Sequence, residues 1–396
     1  MRLLEHQAKK LLANFGLAFT QPLLADTPAA AMAAMERLGK AAVLKAQVPF
    51  GRRGKAGAVR FVETPLEAQR AASELLAMNF QGVKVTQVSI EEKLTFLREL
   101  YAGVTWDTQA KRPVALLGAG GMDIEQCPPE CLARRIFDPW IGFTAGMGRE
   151  MSTRLGLKGR TLVGISEFMK KLAHAFLMSD AVTMEVNPVA ETLDGALIGL
   201  DARVEIEDDA MYRQQDRMAA LGQLVSTTTG RPPTTLETEA QRIDAIDHRG
   251  VAGRVVEFDG DLALLIGGGG ASLTVFDAIR RYGGKPANYC EVGGNPTEEK
   301  VAALTKLLLS KPGVRKIAVI MNVVNNTRAD VMARGVLMGL ERSGREPSKT
   351  ISVFRIPGSW EQEARAFLAK SGVEALGRET SLDAAARMAV ERNGSP

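Results

Sequence analysis

The length, composition and charge of the chain exclude several classes of protein. The chain has 396 residues, of which 45% are hydrophobic and 24% are charged. This length is too great for one ordinary hydrophobic core and predicts two or three domains. A net charge of +4, with dispersed Lys and Arg, argues against nucleic-acid binding. Because no apolar run of about 18 residues and no signal-peptide pattern occurs, we expect no membrane span and a cytoplasmic location.

The predicted elements of the first half mix short strands with helices. Apolar residues at a helical period predict a first helix over 3–15, closed by Gly16. Further elements follow as strands over 43–48, 58–62, 83–90, 97–104, 114–117, 182–187 and 196–201, and as helical patterns over 65–78, 152–155 and 166–177. This mixture is typical of an α+β nucleotide-binding domain, which we place at residues 1–240. Between about 205 and 250 the pattern dissolves into polar sequence, Thr/Pro-rich over 226–233, and this region is the predicted linker.

A regular alternation of strands and helices follows the linker. The strands are predicted over 262–266, 287–291, 316–321, 351–355 and 373–376, each with a helix after it. This alternation predicts a parallel, doubly wound sheet with ligand groups at the carboxyl ends of its strands. We place this domain at residues 251–396. Its functional residues are expected at 267–272, 293–297, 322–327 and 355–358.

Two oxygen-bearing side chains follow neighbouring predicted strands of the first domain. Asn187 ends the predicted strand over 182–187 and precedes Pro188, and Asp201 ends the next predicted strand. Hard oxygen ligands of this kind suit Mg²⁺, which keeps substrate phosphate among its ligands. Taken alone, an Asn-Pro pair after a strand is more often only a turn.

A glycine-rich basic loop, residues 51–57, follows the predicted strand over 43–48. Backbone N–H groups and cations in such a loop can hold phosphate oxygens, although a solvated basic hairpin is an alternative interpretation. The loop is not a Walker A motif, because Gly51 and Lys55 are too close and Ala56 lacks a hydroxyl. Lys45, inside the strand, is costly to bury without an anion, so we expect it to face phosphate.

A run of four glycines, 267–270, precedes a predicted helix. It does not fit the dinucleotide fingerprint, because Ser272 occupies the position of the last glycine. A helix N-terminus behind such a run can still bind an anion through its N–H groups and its dipole. We therefore expect a carboxylate or a phosphate there.

Together these motifs resemble the β subunit of succinate-CoA ligase and its relatives, including ATP-citrate lyase. The resemblance runs from the segment 4–9 (Leu-Glu-His-Gln-Ala-Lys) to the last helix. It implies an α/β protein with an N-terminal ATP-grasp domain followed by a flavodoxin-like doubly wound parallel-sheet CoA-ligase domain. The ATP-binding residues that it implies are Lys45, Arg52, Arg53, Gly54, Glu91, Leu94 and Glu99, with Glu91 and Glu99 near the ribose. Arg52 replaces a glycine of the family's loop.

The resemblance also implies a partner and a reaction. ATP with Mg²⁺, held by Asn187 and Asp201, would phosphorylate a histidine of a CoA-binding α-type subunit. The phosphohistidine would activate a carboxylate, which CoA then attacks. Glu185 matches a carboxylate that orients this histidine, and the helix starting near Thr297 would help to hold the phosphate. The chain's own histidines, His6, His174 and His248, are expected to be structural or solvated.

The substrate is expected to be citrate, from two loops and one arginine. Residues 267–272 are similar to the Gly-Gly-Gly-Ala-Ser of ATP-citrate lyase, and Asn325-Asn326-Thr327 is nearer to the citrate enzymes' Asn-Phe-Thr than to the Gly-Ile-Val of dicarboxylate ligases. The substrate-binding residues so implied are Gly267, Gly268, Asn325, Asn326, Thr327 and Arg355. A β subunit of succinate-CoA or malate-CoA ligase and a non-catalytic ATP-binding subunit are the alternatives. ATP or GTP preference, and citryl-CoA release or cleavage, stay open.

Overall fold

The computed structural model describes residues 1–51, 53–80, 83–120, 128, 131–222 and 233–394. The chain divides into two compact units, Met1–Pro232 and Pro233–Pro396. The first predicted domain ends at residue 240 and the second begins at residue 251, whereas the units meet at residues 232 and 233. The predicted and observed divisions therefore differ in where they place the helix Thr235–Asp244. The predicted linker region, about 205–250, instead contains the helices Met211–Ala219 and Thr235–Asp244, and its residues 223–232 lie outside the described residues.

A small antiparallel sheet, backed by two helices, begins the first unit. Its strand order is β1-β6-β2-β3. The helices α2 and α3 begin where the sequence supplies strong start signals, since Thr27 and Thr64 cap them and a proline follows each threonine. The elements to this point are α1 (Glu5–Ala13), β1 (Leu23–Ala25), α2 (Pro28–Leu38), β2 (Ala42–Ala46), β3 (Val59–Val62), α3 (Pro65–Ala77), β4 (Asn79–Phe80), β5 (Val83–Lys84) and β6 (Val88–Glu92).

A second antiparallel sheet completes the first unit. Its order is β11-β10-β7-β8-β9, with β12 also paired to β10. Helix α5 packs an apolar stripe that includes Ile165, Met169 and Leu172 against this sheet. The elements are β7 (Phe96–Asp107), β8 (Arg112–Ala119), β9 (Leu132–Ile136), α4 (Ala145–Arg154), α5 (Gly159–Met178), β10 (Ala181–Thr192), β11 (Leu197–Gly199), β12 (Ala202–Ile206) and α6 (Met211–Ala219).

The second unit contains the predicted parallel sheet. Its order is β13-β15-β14-β16-β17-β18, and β13 is an antiparallel edge strand. When the five parallel strands are numbered along the chain from β14, their order across the sheet is 2-1-3-4-5, which is the flavodoxin-like arrangement. The elements are α7 (Thr235–Asp244), β13 (Val251–Glu257), β14 (Leu262–Gly267), α8 (Gly270–Arg281), β15 (Asn288–Gly293), α9 (Glu298–Ser310), β16 (Lys316–Met321), α10 (Ala329–Arg342), α11 (Pro347–Thr350), β17 (Ile351–Arg355), α12 (Glu361–Lys370), β18 (Ala375–Leu376) and α13 (Leu382–Asn393). The predicted fold class is confirmed.

Helices cover both faces of this sheet. Ala263 and Leu265 of β14 belong to the core cluster that contains residues of α9, α10 and α12. Leu264 and Ile266, which point the other way, belong to the cluster that contains residues of α8 and α13. The chain therefore leaves β14 toward one face and β16 toward the other. This divergence creates a topological switch point between the carboxyl ends of β14 and β16.

Among the helices in the described parts of both units, none is long and apolar enough to cross a membrane.

Candidate functional site

A cluster of charged side chains joins the two sheets of the first unit. Among the described residues it contains three cations, Lys9, Lys45 and Arg53, and three carboxylates, Glu5, Glu91 and Asp201. Helix α1 supplies two of them, because Glu5 and Lys9 lie four residues apart on one face of the helix. Asp201 is the partly exposed member, with 36% of its side chain accessible, whereas the side chains of the others are at most 9% exposed.

Lys45 contacts carboxylates of the chain itself. Its Nζ lies 2.8 Å from Glu5 Oε1 and 3.3 Å from Glu91 Oε2, and it donates to the carbonyl of Leu200. Burial opposes the charged form, but Glu5 and Glu91 raise the pKa of Lys45 above its usual value. The anion that we expected a buried Lys45 to need is therefore supplied, in this structure, by two glutamates.

Glu5 bridges all three cations of the cluster. Its Oε1 lies 2.8 Å from the Nζ of both Lys9 and Lys45, and its Oε2 lies 2.6 Å from Arg53 Nη1. Burial favours the protonated form, but Arg53, Lys45 and Lys9 together hold the pKa of Glu5 well below its usual range. Sequence reasoning assigned no role to Glu5 or Lys9, although their spacing on a short helix is a usable signal.

Glu91 is engaged on both carboxylate oxygens. Ser89 Oγ donates to its Oε1 at 3.2 Å, while Lys9 Nζ and the Thr20 hydroxyl donate to its Oε2. With 2% of its surface exposed, Glu91 acts here as a buried counter-charge. Its contact with ribose stays a prediction.

Glu99 differs from Glu91, since its side chain forms no hydrogen bond or ion pair with any residue that the structure describes. It is partly exposed on β7, and Leu94 is partly exposed in the loop before that strand. Gly54 lies exposed in the basic loop, next to the buried Arg53. Arg52 lies outside the described residues.

The two predicted metal ligands lie on adjacent chain segments. The backbone N–H of Asn187 donates to the carbonyl of Asp201 at 3.2 Å. The peptide bond between Asn187 and Pro188 is cis. Both carboxylate oxygens of Asp201 accept from Arg53 Nη2, at 2.6 and 2.7 Å.

The donor set around Asn187 and Asp201 is small. In the described ranges, no group of three or more His, Cys, Asp or Glu side chains is arranged to hold a metal ion. An amide and one carboxylate therefore fit Mg²⁺ only together with phosphate oxygens and water, which is how this ion is commonly bound.

Glu185 lies two residues before Asn187 on β10 and faces the same side of the sheet. It pairs in register with Gly103 of β7, where the ring of Tyr101 occupies the space that a side chain would need. Burial, reinforced by Glu185, raises the pKa of Tyr101. The orienting role of Glu185 toward a partner histidine stays a prediction.

Two of the chain's three histidines, His6 and His174, are held by structural contacts, whereas His248 is exposed. The Nδ1 of His6 lies 3.0 Å from Gln47 Oε1, and burial lowers the pKa of this ring. His174 packs edge-on against Phe15, with ring centroids 5.8 Å apart. These contacts agree with the structural role that we expected for both.

At the switch point of the second unit, the glycine loop touches the loop after β16. The backbone N–H of Asn322 donates to the carbonyl of Gly267 at 3.1 Å. Gly268 has φ +109°, and a Cβ there would lie 2.7 Å from the Cβ of Asn322. One amide of the loop already binds a carboxylate, since Gly269 N donates to Glu291 Oε1 at 2.8 Å.

The loop after β16 presents the predicted polar side chains. Asn325 and Asn326 are exposed, whereas Thr327 is 2% exposed and its hydroxyl accepts the N–H of Asn295 at 3.3 Å. Backbone hydrogen bonds between Val324 and the loop 357–359 hold this loop in place.

Arg355 is a buried cation at the end of β17. It is 5% exposed and donates from Nε to the carbonyl of Thr380 at 2.6 Å and from Nη1 to that of Met321. Burial lowers its pKa. Within the part of the chain that the structure describes, no carboxylate lies within ion-pair distance of this guanidinium.

Comparisons with known proteins agree with the two-unit architecture. Residues 2–191 match the family model of the ATP-grasp domain, and residues 234–362 match that of the citrate-binding region of ATP citrate lyase. Over 98% of this chain and 99% of the other, the fold superimposes on ATP citrate lyase from Methanothrix soehngenii, solved in complex with citrate and coenzyme A, with a TM-score of 0.77 and 20% identity.

Full-length relatives carry a different substrate name. The β subunit of the ADP-forming succinate-CoA ligase of Rubrobacter xylanophilus is 34% identical over 398 residues, covering 99% of this chain and 98% of the relative. The β subunit of the GDP-forming enzyme of Thermus thermophilus is 35% identical over 373 residues, 93% of each chain. The chain therefore belongs to the family of ATP-dependent CoA ligases that includes the succinate-CoA ligase β subunits and ATP citrate lyase.

Proposed function

We propose that this chain is the nucleotide-binding subunit of a heteromeric ATP-dependent citrate-CoA ligase, either a citryl-CoA synthetase or an ATP citrate lyase. The main support for a carboxylate substrate in the second unit is the environment of Arg355. A buried guanidinium without a carboxylate partner is costly, and an incoming carboxylate would offset that cost through a charge-assisted hydrogen bond. Arg355 lies at the carboxyl edge of the sheet, where ligands of this fold bind.

The polar loop after β16 supports citrate over a dicarboxylate. Citrate has a hydroxyl and a third carboxylate that succinate lacks. The exposed amides of Asn325 and Asn326 can donate to these additional oxygens. The hydroxyl of Thr327 accepts from Asn295 and retains a hydrogen of its own to donate. Buried polar groups that match a substrate oxygen discriminate strongly against an analogue that lacks it.

The first unit would supply the phosphoryl group. Lys45 and Arg53 would bind the phosphates of ATP, and Glu99, whose carboxylate has no partner among the described residues, would accept hydrogen bonds from the ribose hydroxyls. Asn187 and Asp201 would hold Mg²⁺, which supplies neutralising charge at the phosphates. The γ-phosphoryl group would pass from ATP to a histidine of a CoA-binding α-type partner, leaving ADP, with Glu185 orienting the ring.

The remaining steps would follow on the partner's phosphohistidine. A citrate carboxylate attacks phosphorus, the N–P bond breaks and citryl phosphate forms. The CoA thiol then attacks the acyl carbon, loses its proton and releases phosphate, which gives citryl-CoA. The chain's share of these steps is to bind citrate through Arg355 and the loop at 325–327 and to hold it at the switch point.

A second candidate is the β subunit of a succinate-CoA ligase. The names of the full-length relatives at 34% and 35% identity favour it. Substrate choice depends on few residues, so overall identity does not decide between the two acids.

Calorimetric titration of the full chain with citrate, succinate and malate tests the proposal. We expect citrate to bind at least about tenfold more tightly than succinate, and Arg355→Gln to weaken citrate binding by roughly tenfold to a hundredfold, since hydrogen bonds to charged groups contribute about 1.5–3 kcal/mol. Arg345→Gln is the matched control. Arg345 also donates to backbone carbonyls, those of Leu309, Val314 and Arg315, but precedes β17 instead of following it. Succinate binding more tightly than citrate would favour the second candidate.

A further inference from the structure

We propose that the Arg53–Asp201 ion pair is an internal substitute for the phosphate and the metal ion, so that nucleotide and Mg²⁺ bind to this chain as a coupled pair. The proposal rests on the proposed function, because it takes Arg53 as a phosphate ligand and Asp201 as a metal ligand. It adds that Arg53 and Asp201 stay paired with each other until both ligands bind. Arg53 would then pair with phosphate instead of Asp201, and Asp201 would help to hold Mg²⁺ instead of pairing with Arg53.

The geometry of Arg53 shows which of its contacts can exchange. Its Nη1 lies 2.6 Å from Glu5 Oε2 and donates to the carbonyl of Ala46 at 3.2 Å, and these contacts fix the inner side of the guanidinium. Its Nη2 contacts both oxygens of Asp201 at 2.6 and 2.7 Å. Arg53 is therefore anchored by one nitrogen and paired with Asp201 by the other.

Exposure identifies Asp201 as the carboxylate that exchanges. Glu5 and Glu91 are 3% and 2% exposed and are each shared among several donors. The side chain of Asp201 is 36% exposed and contacts Arg53 alone among the cations within ion-pair distance in the described ranges. Release of Asp201 from Arg53 would leave the buried ion pairs of the cluster in place.

Charge balance makes the two binding events depend on each other. The cluster has three cations and three carboxylates among the described residues, so it carries no net charge that would attract a phosphate. Nucleotide alone would place its phosphates beside the Asp201 carboxylate, and like charges at contact distance repel. The metal ion alone would have to compete with Arg53 for Asp201. When both bind, every charge keeps an opposite partner, and linkage requires the coupling to be reciprocal.

The first test measures metal-free nucleotide binding. We expect Asp201→Asn to bind AMPPNP in EDTA about three- to tenfold more tightly than the wild type, because the variant loses both a competing partner of Arg53 and a repelling charge. The dependence of nucleotide affinity on Mg²⁺ should shrink in the same variant. Asp180→Asn is the matched control, since Asp180 pairs with Arg213 through both oxygens at 2.7 Å in the same unit. It should leave both affinities unchanged.

The reciprocal test measures metal binding without nucleotide. Arg53→Gln should raise the affinity for Mn²⁺, followed by electron paramagnetic resonance of the free ion, because Asp201 loses its partner. Asp201→Asn binding metal-free AMPPNP no more tightly than wild type, or Arg53→Gln leaving the Mn²⁺ affinity unchanged in a folded protein, would overturn the exchange. In that case tight binding of AMPPNP with Mg²⁺ to the wild type would leave the proposed nucleotide role intact, whereas its absence would contradict that role itself.

Discussion

Glu5→Gln tests whether the buried ion cluster is a cooperative unit of the first domain. The substitution keeps the shape of the side chain and removes the one carboxylate that contacts Lys9, Lys45 and Arg53 at 2.6–2.8 Å. Removal of one partner from a buried, hydrogen-bonded ion network costs about 3–5 kcal/mol, because it leaves an uncompensated buried charge. We therefore expect the free energy of unfolding of this unit to fall by about that amount.

The control is Glu92→Gln, which removes the neighbour of Glu91 on β6. Glu92 pairs with Lys40 at 2.8 Å, but both side chains are more than one third exposed. Solvent screens such a pair, so its loss should cost less than about 1 kcal/mol. The two variants therefore compare a buried and an exposed glutamate–lysine contact within one unit.

Urea unfolding followed by tryptophan fluorescence measures this difference. The chain has three tryptophans, and Trp106 and Trp140 belong to the first unit whereas Trp360 belongs to the second. In a Trp360→Phe background the signal reports on the first unit alone. The free energy of unfolding is then extrapolated linearly to water for each variant.

The pKa of Glu5 predicts how the cost of Glu5→Gln should change with pH. The pKa of folded Glu5 lies well below the ordinary glutamate value of 4.5, so its ionised form stabilises the folded state at pH values above 4.5. That contribution is lost as the pH falls through the folded pKa. The difference between wild type and Glu5→Gln should thus be full at pH 7 and shrink below pH 4.5. A cost no larger than that of Glu92→Gln, or one independent of pH, would refute the reasoning.

Three further substitutions test the two predicted binding sites. Thr327→Val should weaken citrate binding by about 1–3 kcal/mol in calorimetric titration, because the hydroxyl proposed to bond a substrate oxygen is replaced by a methyl of similar shape. Gly268→Ala should abolish most citrate binding, since its Cβ would lie 2.7 Å from that of Asn322, whereas Gly283→Ala, also at positive φ but with open space, should not. Glu99→Gln should remove the preference for ATP over 2′,3′-dideoxy-ATP in equilibrium binding, and a retained preference would exclude Glu99 as the ribose ligand.

The fold of the second unit could be predicted from the sequence because each strand is a short apolar run followed by a helix. β14 is buried along its whole length. Strands of this kind in parallel sheets are recognised as continuous apolar runs, with no alternation of apolar and polar residues. The position of α7 could not be predicted, because a polar, proline-rich segment precedes it and the sequence gives no sign of the unit on which it packs. Its Leu236, Ala240 and Ile243 belong to the core of the second unit.

The candidate sites divide in the same way. The loops after β14 and β16 could be placed from the sequence, because polar residues follow their apolar strands. Asn187 was expected to end a strand but lies inside β10, and metal binding by Asn187 and Asp201 stays a prediction. The pairing of Lys45 with Glu5 and Glu91, and of Arg53 with Asp201, could not be found from the sequence. These contacts join residues 40 to 148 positions apart, and no local pattern records which distant carboxylate meets a buried cation.

The most direct measurement of the central claim is ADP release by the chain together with its CoA-binding partner, with citrate, succinate or malate as the acid. We expect kcat/KM to be highest for citrate. The isolated chain should bind ATP with Mg²⁺ yet form no thioester, because the proposed mechanism needs a phosphorylated histidine of the partner. Faster turnover of succinate than of citrate would contradict the citrate assignment, and acyl-CoA formation by the chain alone would contradict the two-subunit account.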